Sequence, residues 1–192
     1  MDEPAKVAHV EPPPLCEGRL ADGTLVLIRP LIPSDEQQLR VGLEHLSPRA
    51  RYQRFLTPTA HLSDAQIDYL MHPDGVDHIA LVMGIRVEGE SEPRGIAVAR
   101  CIRENGGVSD TAEVAVVVTD AWQGRGVGSL LLRHLAAWAY RLGMRHWTGM
   151  VLGSNEAVKR AIDHVGPREA TGVEGNGVME ITWRLDPTVF DV

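Results

Sequence analysis

The sequence predicts a mixed α/β fold, a twisted and mostly antiparallel sheet of about six to seven strands flanked by about four helices. Three observations predict it. Strand-like runs at 78–87, 94–103 and 111–118 follow one another through Glu88-Gly89-Glu90 and Asn105-Gly106-Gly107, which read as hairpin connections. At Gln123-Gly124-Arg125-Gly126-Val127-Gly128 the apolar period changes to that of a helix. A last run, 178–184, alternates again with period two. A chain of 192 residues, 44% hydrophobic and 23% charged, can bury one sizeable core but not two full ones, so one domain is expected.

Residues 1–19 hold charged side chains and Pro12-Pro13-Pro14, a composition that builds little core, and are expected to form a disordered lead-in. The domain is placed at 20–186 and a loose tail at 187–192. Thr24 to Arg29 is apolar and β-branched enough for a first strand, closed by Pro30 and Pro33. Ser34-Asp35-Glu36-Gln37 and Ser63-Asp64-Ala65-Gln66 both have the S-x-x-Q spacing of a capping box, so each predicts a helix start. Between them, Leu46 to Phe55 places Pro48 where a first helical turn tolerates it and spaces three arginines, Arg49, Arg51 and Arg54, along a short helix or loop. After the three central strands, Val127, Leu130, Leu131, Leu135, Trp138 and Leu142 recur at helical spacing as one buried stripe that Gly143 ends. A strand at 146–152, a helix at 154–165 and the strand at 178–184 complete the order.

A net charge of -7 argues against a protein that binds nucleic-acid phosphates, and no stretch approaches about 18 apolar residues, so neither nucleic acid nor membrane is expected as a partner. Cys16 and Cys101 draw no disulfide framework or thiolate metal cluster, and with no apolar leader behind Met1 a cytoplasmic protein is expected. His72 and His78 flank Asp74 and Asp77, but their spacing fits no ligand pattern; a solvated loop, and no metal, is expected there.

The chemistry gathers at the glycine turn. Val116-Val117-Val118 ends a strand, and Gln123-Gly124-Arg125-Gly126-Val127-Gly128-Ser129 opens a helix. Glycines let backbone approach a phosphate, and the first-turn N–H groups point at it with the positive end of the helix dipole behind them. The plain alternative is a tight turn that needs glycine only for its dihedrals. A nucleotide-hydrolysing loop is excluded because Gly128, not lysine, precedes Ser129. A dinucleotide fingerprint fits weakly, since Ser129 stands where the third glycine belongs and His146-Trp147-Thr148-Gly149-Met150 supplies no acidic residue.

Gln123-x-x-Gly126-x-Gly128, after an apolar strand and before an apolar-striped helix, resembles the acetyl-CoA signature of GNAT acetyltransferases. The resemblance runs on through Asn155-Glu156-Ala157-Val158 and Gly166, and covers roughly residues 20 to 185. Upstream, Asp22-Gly23-Thr24 to Arg29-Pro30 and Leu46-Ser47-Pro48 to Tyr52-Gln53-Arg54-Phe55 look like the GNAT domain of bacterial protein lysine acetyltransferases that modify acyl-CoA synthetases. Some of that group carry a cyclic-nucleotide or synthetase-like domain on the same chain; residues 1–19 cannot hold one, so regulation through such a domain is not expected.

The resemblance implies the GNAT fold, acetyl-CoA as co-substrate and an amine acceptor, a protein lysine above others. It implies that the backbone of Val116, Val117 and Val118 carries the pantetheine arm, that Gln123, Gly124, Arg125, Gly126, Val127, Gly128 and Ser129 hold the pyrophosphate, and that the Asn155 amide reaches the arm, besides capping a helix. Glu113 is the candidate general base. It is the lone carboxylate in Thr111-Ala112-Glu113-Val114-Ala115-Val116-Val117-Val118, where an ionised side chain is costly unless it faces a polar cleft, and ten residues before Gln123 it matches the family's catalytic glutamate. A strand-edge or salt-bridged glutamate is the alternative. Two departures stand out. Ile162 occupies the position of a tyrosine that often protonates the leaving thiolate, and Gly166-Pro167 replaces the usual Gly-Phe. A small-amine acceptor, or a non-catalytic acyl-CoA-binding module, is the rival reading.

Overall fold

The computed structural model describes residues 10–57 and 62–190. Eight strands form one sheet: β1 (Cys16–Arg19), β2 (Leu25–Pro30), β3 (His78–Ile85), β4 (Arg94–Arg103), β5 (Thr111–Val118), β6 (His146–Leu152), β7 (Arg168–Gly175) and β8 (Val178–Arg184). The helices are α1 (Glu36–Glu44), α2 (Pro48–Phe55), α3 (Asp64–Met71), α4 (Val127–Arg141) and α5 (Glu156–Asp163). The strand order is β1-β2-β3-β4-β5-β6-β8-β7, antiparallel throughout except between β5 and β6.

Eight strands and five helices stand slightly above the expected six to seven and four, because β1, β7 and the short α2 carry weak sequence signals. β7 is exposed at every residue, so no alternation of apolar side chains announces it; β1 has four residues and follows the proline run. β1 places paired strand structure ahead of Leu20, with Cys16 opposite Ile28 and Arg19 opposite Leu25, and Val10 packs against the core before it. At the other end Phe190 is buried and meets Tyr140 edge to face, so the segment after Asp186 is tied to α4 as far as it is described. Residues 1–9 and 191–192 lie outside the described residues.

The two S-x-x-Q boxes behave differently. Ser63 caps α3, accepting from the Gln66 N–H at 3.3 Å while the Gln66 side chain accepts from the Ser63 N–H at 2.9 Å. Ser34 caps nothing, because Asp35 forms a bidentate pair with Arg29 (2.6 and 2.7 Å) and accepts from the Ile32 N–H; α1 begins at Glu36 after a 3₁₀ turn.

Alternation along the strands sorts the side chains onto two faces. Ile79, Leu81, Met83, Ile96, Ala99, Cys101, Ala112 and Val114 pack against Leu131, Leu132, Leu135 and Trp138 of α4 and Ile162 of α5. Each fully buried side chain of that stripe contributes about 1.5–3 kcal/mol, so the N-terminal end of α4 is held rigidly against the sheet. On the other face Leu31, Ala80, Val82 and Val98 meet Leu39 of α1 and Ile67 and Met71 of α3. Glycine ends α4 as expected: Gly143 has φ 88°, and Met144 N–H returns to Ala139 O at 3.0 Å.

The loop at 72–78, expected to be solvated and without a metal, uses its polar groups internally. Asp74 Oδ1 accepts from the backbone N–H groups of Val76, Asp77 and His78 at 2.8–2.9 Å, and Asp77 pairs with Arg103 at 2.7 Å. His78 is buried, stacked on Tyr69, and receives the Arg100 guanidinium at 3.3 Å on Nε2. Burial first, then the Arg100 charge, lowers its pKa from 6.5 to about 4, against a smaller opposing effect of Asp74.

Two outcomes follow. The unfolded chain protonates His78 more readily than the folded protein does, so the stability linked to it is full above pH 6.5 and is lost as pH falls towards about 4. Thermal unfolding followed from pH 7 to pH 4 is expected to show a shallower decline for His78→Gln than for wild type; equal slopes would remove His78 from the acid sensitivity. At Gly166, φ is 150° and a Cβ would lie 1.9 Å from Arg184 O, so the altered Gly-Pro closure still demands glycine. Gly166→Ala is expected to destabilise by about 2 kcal/mol or more, read as a lowered unfolding midpoint, and an unchanged midpoint would refute this tight approach.

Candidate active site

β5 and β6 run side by side for only three residue pairs, Thr111 with His146, Ala112 with Trp147 and Glu113 with Thr148. Beyond that point β5 stays with β4 as far as Val118 opposite Ala97, while β6 stays with β8 as far as Leu152 opposite Val178. The sheet therefore splits, and Val114 to Val118 present an edge with no strand partner on the β6 side. A cavity of about 620 Å³ fills the split, lined by Glu113 to Val118 of β5, Met150 and Val151 of β6, the glycine turn, and parts of α2 and α5.

Each end of this cavity has its own chemistry. At the wide end α4 starts at Gly126, φ 83°, with no side chain capping it. The first intrahelical bond returning to Gly126 O comes from Leu130 N–H at 3.0 Å, which leaves the N–H groups of Val127, Gly128 and Ser129 without an acceptor among the described residues, at the positive end of the helix dipole. Gln123 Nε2 donates to Val118 O at 3.1 Å and to Asp120 Oδ1, tying the turn to the end of β5. Asp120 in turn accepts from the Ser47 N–H and hydroxyl at 3.0 and 2.8 Å, which docks the start of α2 on the same loop. Gly128 faces the gap, for a Cβ there would lie 3.6 Å from Val118 and 3.9 Å from Ala161.

At the narrow end Glu113 is exposed and sits on the last paired residue, where the strands part. Its strand face is that of Ala115 and Val117, opposite Ala112 and Val114 of the core. Thr148, its partner on β6, donates its hydroxyl to Glu104 at 2.9 Å. Arg54 of α2 lines the same cavity, near enough to feel the Glu113 charge.

Of the residues singled out in sequence, Glu113, Val116, Val117, Val118, Gln123, Gly124, Gly126, Val127, Gly128, Ser129 and Asn155 all line this one cavity. Arg125 does not. Its guanidinium turns away to Asp22, 3.1 Å from Nε, and lies 4.0 Å from the Trp122 ring centroid, holding the Asp22 carboxyl well below the usual carboxylate range. Asn155 does two jobs at once: Oδ1 accepts from Val158 N–H at 3.3 Å as the cap of α5, and its amide nitrogen has no partner among the described residues. Ile162 is buried in the core under α5, with its position filled by packing. Gln53, Arg54, Trp122 and Arg160 also line the cavity; the sequence marked Gln53 and Arg54 only as part of the segment that resembles a GNAT domain, without a site role, and gave no signal for Trp122 or Arg160.

Comparison with known proteins gives a consistent result. Residues 43–165 match the family described as acetyltransferase (GNAT) family. Acetyltransferase PA5475 of Pseudomonas aeruginosa is 35% identical over 154 residues, 78% of this chain and 80% of that protein. Acetyltransferase Pat of Mycolicibacterium smegmatis is 34% identical over 172 residues, 86% of this chain but 48% of Pat, so the chain spans about half of that relative's length. The crystal structure of the GNAT domain of S. lividans PAT superposes with a TM-score of 0.76 at 31% identity, covering 89% of this chain and 97% of that one.

The geometry of the turn separates two substitutions. Gly128→Val, whose side chain would occupy the gap between Val118 and Ala161, is expected to weaken acetyl-CoA binding by about tenfold or more while the protein stays folded, whereas Arg125→Ala should change it by less than about threefold. Calorimetric titration distinguishes them, and equal effects of the two would displace the turn from the anion site.

Proposed function

The chain belongs to the acetyltransferase (GNAT) family, and from that premise we propose that it transfers the acetyl group of acetyl-CoA directly to a lysine side chain of a protein, with Glu113 as general base. The observation that carries the proposal is the position of Glu113 at the vertex of the β5/β6 split, in one cavity with the free amides of α4. In this reading the pyrophosphate lies on the N–H groups of Val127, Gly128 and Ser129, with Gln123, Gly124 and Gly126 shaping the turn. Arg125 contributes through the turn's conformation, since its side chain is committed to Asp22. The pantetheine arm pairs with the open backbone edge of Val116, Val117 and Val118 as an added strand would, and the Asn155 amide donates to it.

From Val118 to Glu113 the extended backbone spans about 17 Å, which carries the thioester to the narrow end. There the neutral lysine amine attacks the acetyl carbonyl carbon. The C–N bond forms, and the C–S bond breaks with its electron pair leaving on sulfur. Glu113 takes the proton from nitrogen, and backbone N–H groups of β5 stabilise the oxyanion between the two steps. Ile162 supplies no proton to the thiolate, so the proton comes from water or another group. A protein lysine, rather than a small amine, is favoured by the likeness to Pat and to the GNAT domain of S. lividans PAT, and the domain proposed to perform the reaction is residues 20–186 with β1 added in front.

Glu113→Gln keeps the shape of the side chain and removes its ability to accept a proton. It is expected to lower kcat by about 10²- to 10⁴-fold on a verified lysine acceptor, with acetyl-CoA affinity nearly unchanged, and to abolish the ascending limb of the pH profile of kcat/KM. Wild-type turnover by this variant, with acetyl transfer rate-limiting, would reassign Glu113 to a structural role on the strand.

A further inference from the structure

The three arginines of α2 take three different directions. Arg49 is exposed to solvent. Arg51 donates to Leu43 O at 2.9 Å and Glu44 O at 3.2 Å, satisfying carbonyls at the end of α1. Arg54 alone turns to the cavity, where it lines the wall with Glu113. Among the described residues its guanidinium has no hydrogen bond and no ion pair within 4.0 Å, only the Phe55 ring 5.1 Å from its centre. Glu113 is thus near enough to act on it electrostatically but is not its salt-bridge partner. Arg100, itself buried and near enough to feel the Arg54 charge, donates to Leu70 O at 2.9 Å and to His78. Burial pushes the Arg54 guanidinium down from its ordinary pKa, with Glu113 opposing.

A half-buried guanidinium that lines the cavity with five donors unused by the protein is a ready receptor for an oxyanion. The protein does not supply one, because Glu113 stays beyond ion-pair distance and is needed as a base. The oxyanion formed during transfer is assigned to the backbone N–H groups of β5, and acetyl-CoA supplies no standing anion there in the proposed pose either. Its phosphates sit at the α4 end, about 17 Å along β5 from Glu113, and the arm between carries no charge. The remaining source is the acceptor. Building on the lysine acetyltransferase reading, we propose that Arg54 is a specificity-determining residue that binds a carboxylate held beside the reacting amine, so that the preferred acceptor is a lysine flanked by an aspartate or glutamate. A planar guanidinium suits this task, since it receives a carboxylate through two parallel hydrogen bonds. The chain as a whole carries a charge of -7, which disfavours acidic segments elsewhere on its surface and makes this local cation the point at which one is accepted.

The test measures kcat/KM of the full chain on two matched pairs: lysine peptides with glutamate or glutamine next to the lysine, and free lysine against lysinamide. Wild type is expected to prefer the glutamate peptide by about tenfold or more, and Arg54→Gln to bring the ratio close to one, with Arg54→Lys in between. Acetyl-CoA titration of each variant verifies that the cofactor end is intact. No preference in wild type, or a preference that survives in Arg54→Gln, would overturn the assignment and leave the lysine acetyltransferase reading standing. An Arg54-dependent preference confined to free lysine over lysinamide would uphold Arg54 as the carboxylate site and overturn the protein acceptor. Absence of turnover on all four acceptors, with targets acetylated in a whole-proteome assay that are equally acetylated by Arg54→Gln, would again remove Arg54 from acceptor choice.

Discussion

The structure depends on two neighbouring strands that part company. β5 and β6 pair through Glu113 and Thr148 and then follow different partners, β4 on one side and β8 on the other. A backbone edge without a strand partner is left open to water or to a ligand, and here it runs for the length of Val114 to Val118. The molecule keeps the edge open by fixing both halves independently. α4 is anchored on β3, β4 and β5 through Leu131, Leu132, Leu135 and Trp138, and Trp147 and Trp183 are fully buried in the β6/β8 half. Neither half can slide to close the gap without losing that packing. An extended ligand arm offers what the edge lacks.

Everything with chemical potential is arranged along that edge. The free donors of α4 mark one end, and the carboxylate of Glu113 marks the other. The loop between β5 and α4 is braced by Gln123 on Val118 and by Asp120 on Ser47, so the position of α2, and with it Arg54, is linked to the position of the glycine turn. Charges are separated in the same way. Arg125 is spent on Asp22 outside the cavity, whereas Arg54 is left unspent inside it, and the sequence alone gave no means of telling these two arginines apart.

Legibility followed the strength of local pattern. The limits of β4, β5, β6 and β8 agree with the expected 94–103, 111–118, 146–152 and 178–184, because each has a buried face that writes itself into the alternation. β7 was silent, since an all-exposed edge strand has no face to bury. Ser34 misled because its box was complete in sequence, while a stronger charge pair between Arg29 and Asp35 determined where α1 starts. Glu113 and the glycines were named one by one, from chemistry, spacing and the resemblance to a family. The split that unites them could not be read that way, as it arises from the registers of β5 with β4 and of β6 with β8, pairings between segments distant in sequence.

The central claim is that the open edge of β5 and the first turn of α4 together receive acetyl-CoA. Amide hydrogen exchange, resolved by residue with and without acetyl-CoA, tests it most directly. The account predicts slowed exchange at Val127, Gly128 and Ser129 and at those amides of Val114 to Val118 that face the split, with little change in β1 or β7. Protection that appears elsewhere while these amides exchange as fast as in the free protein would contradict it.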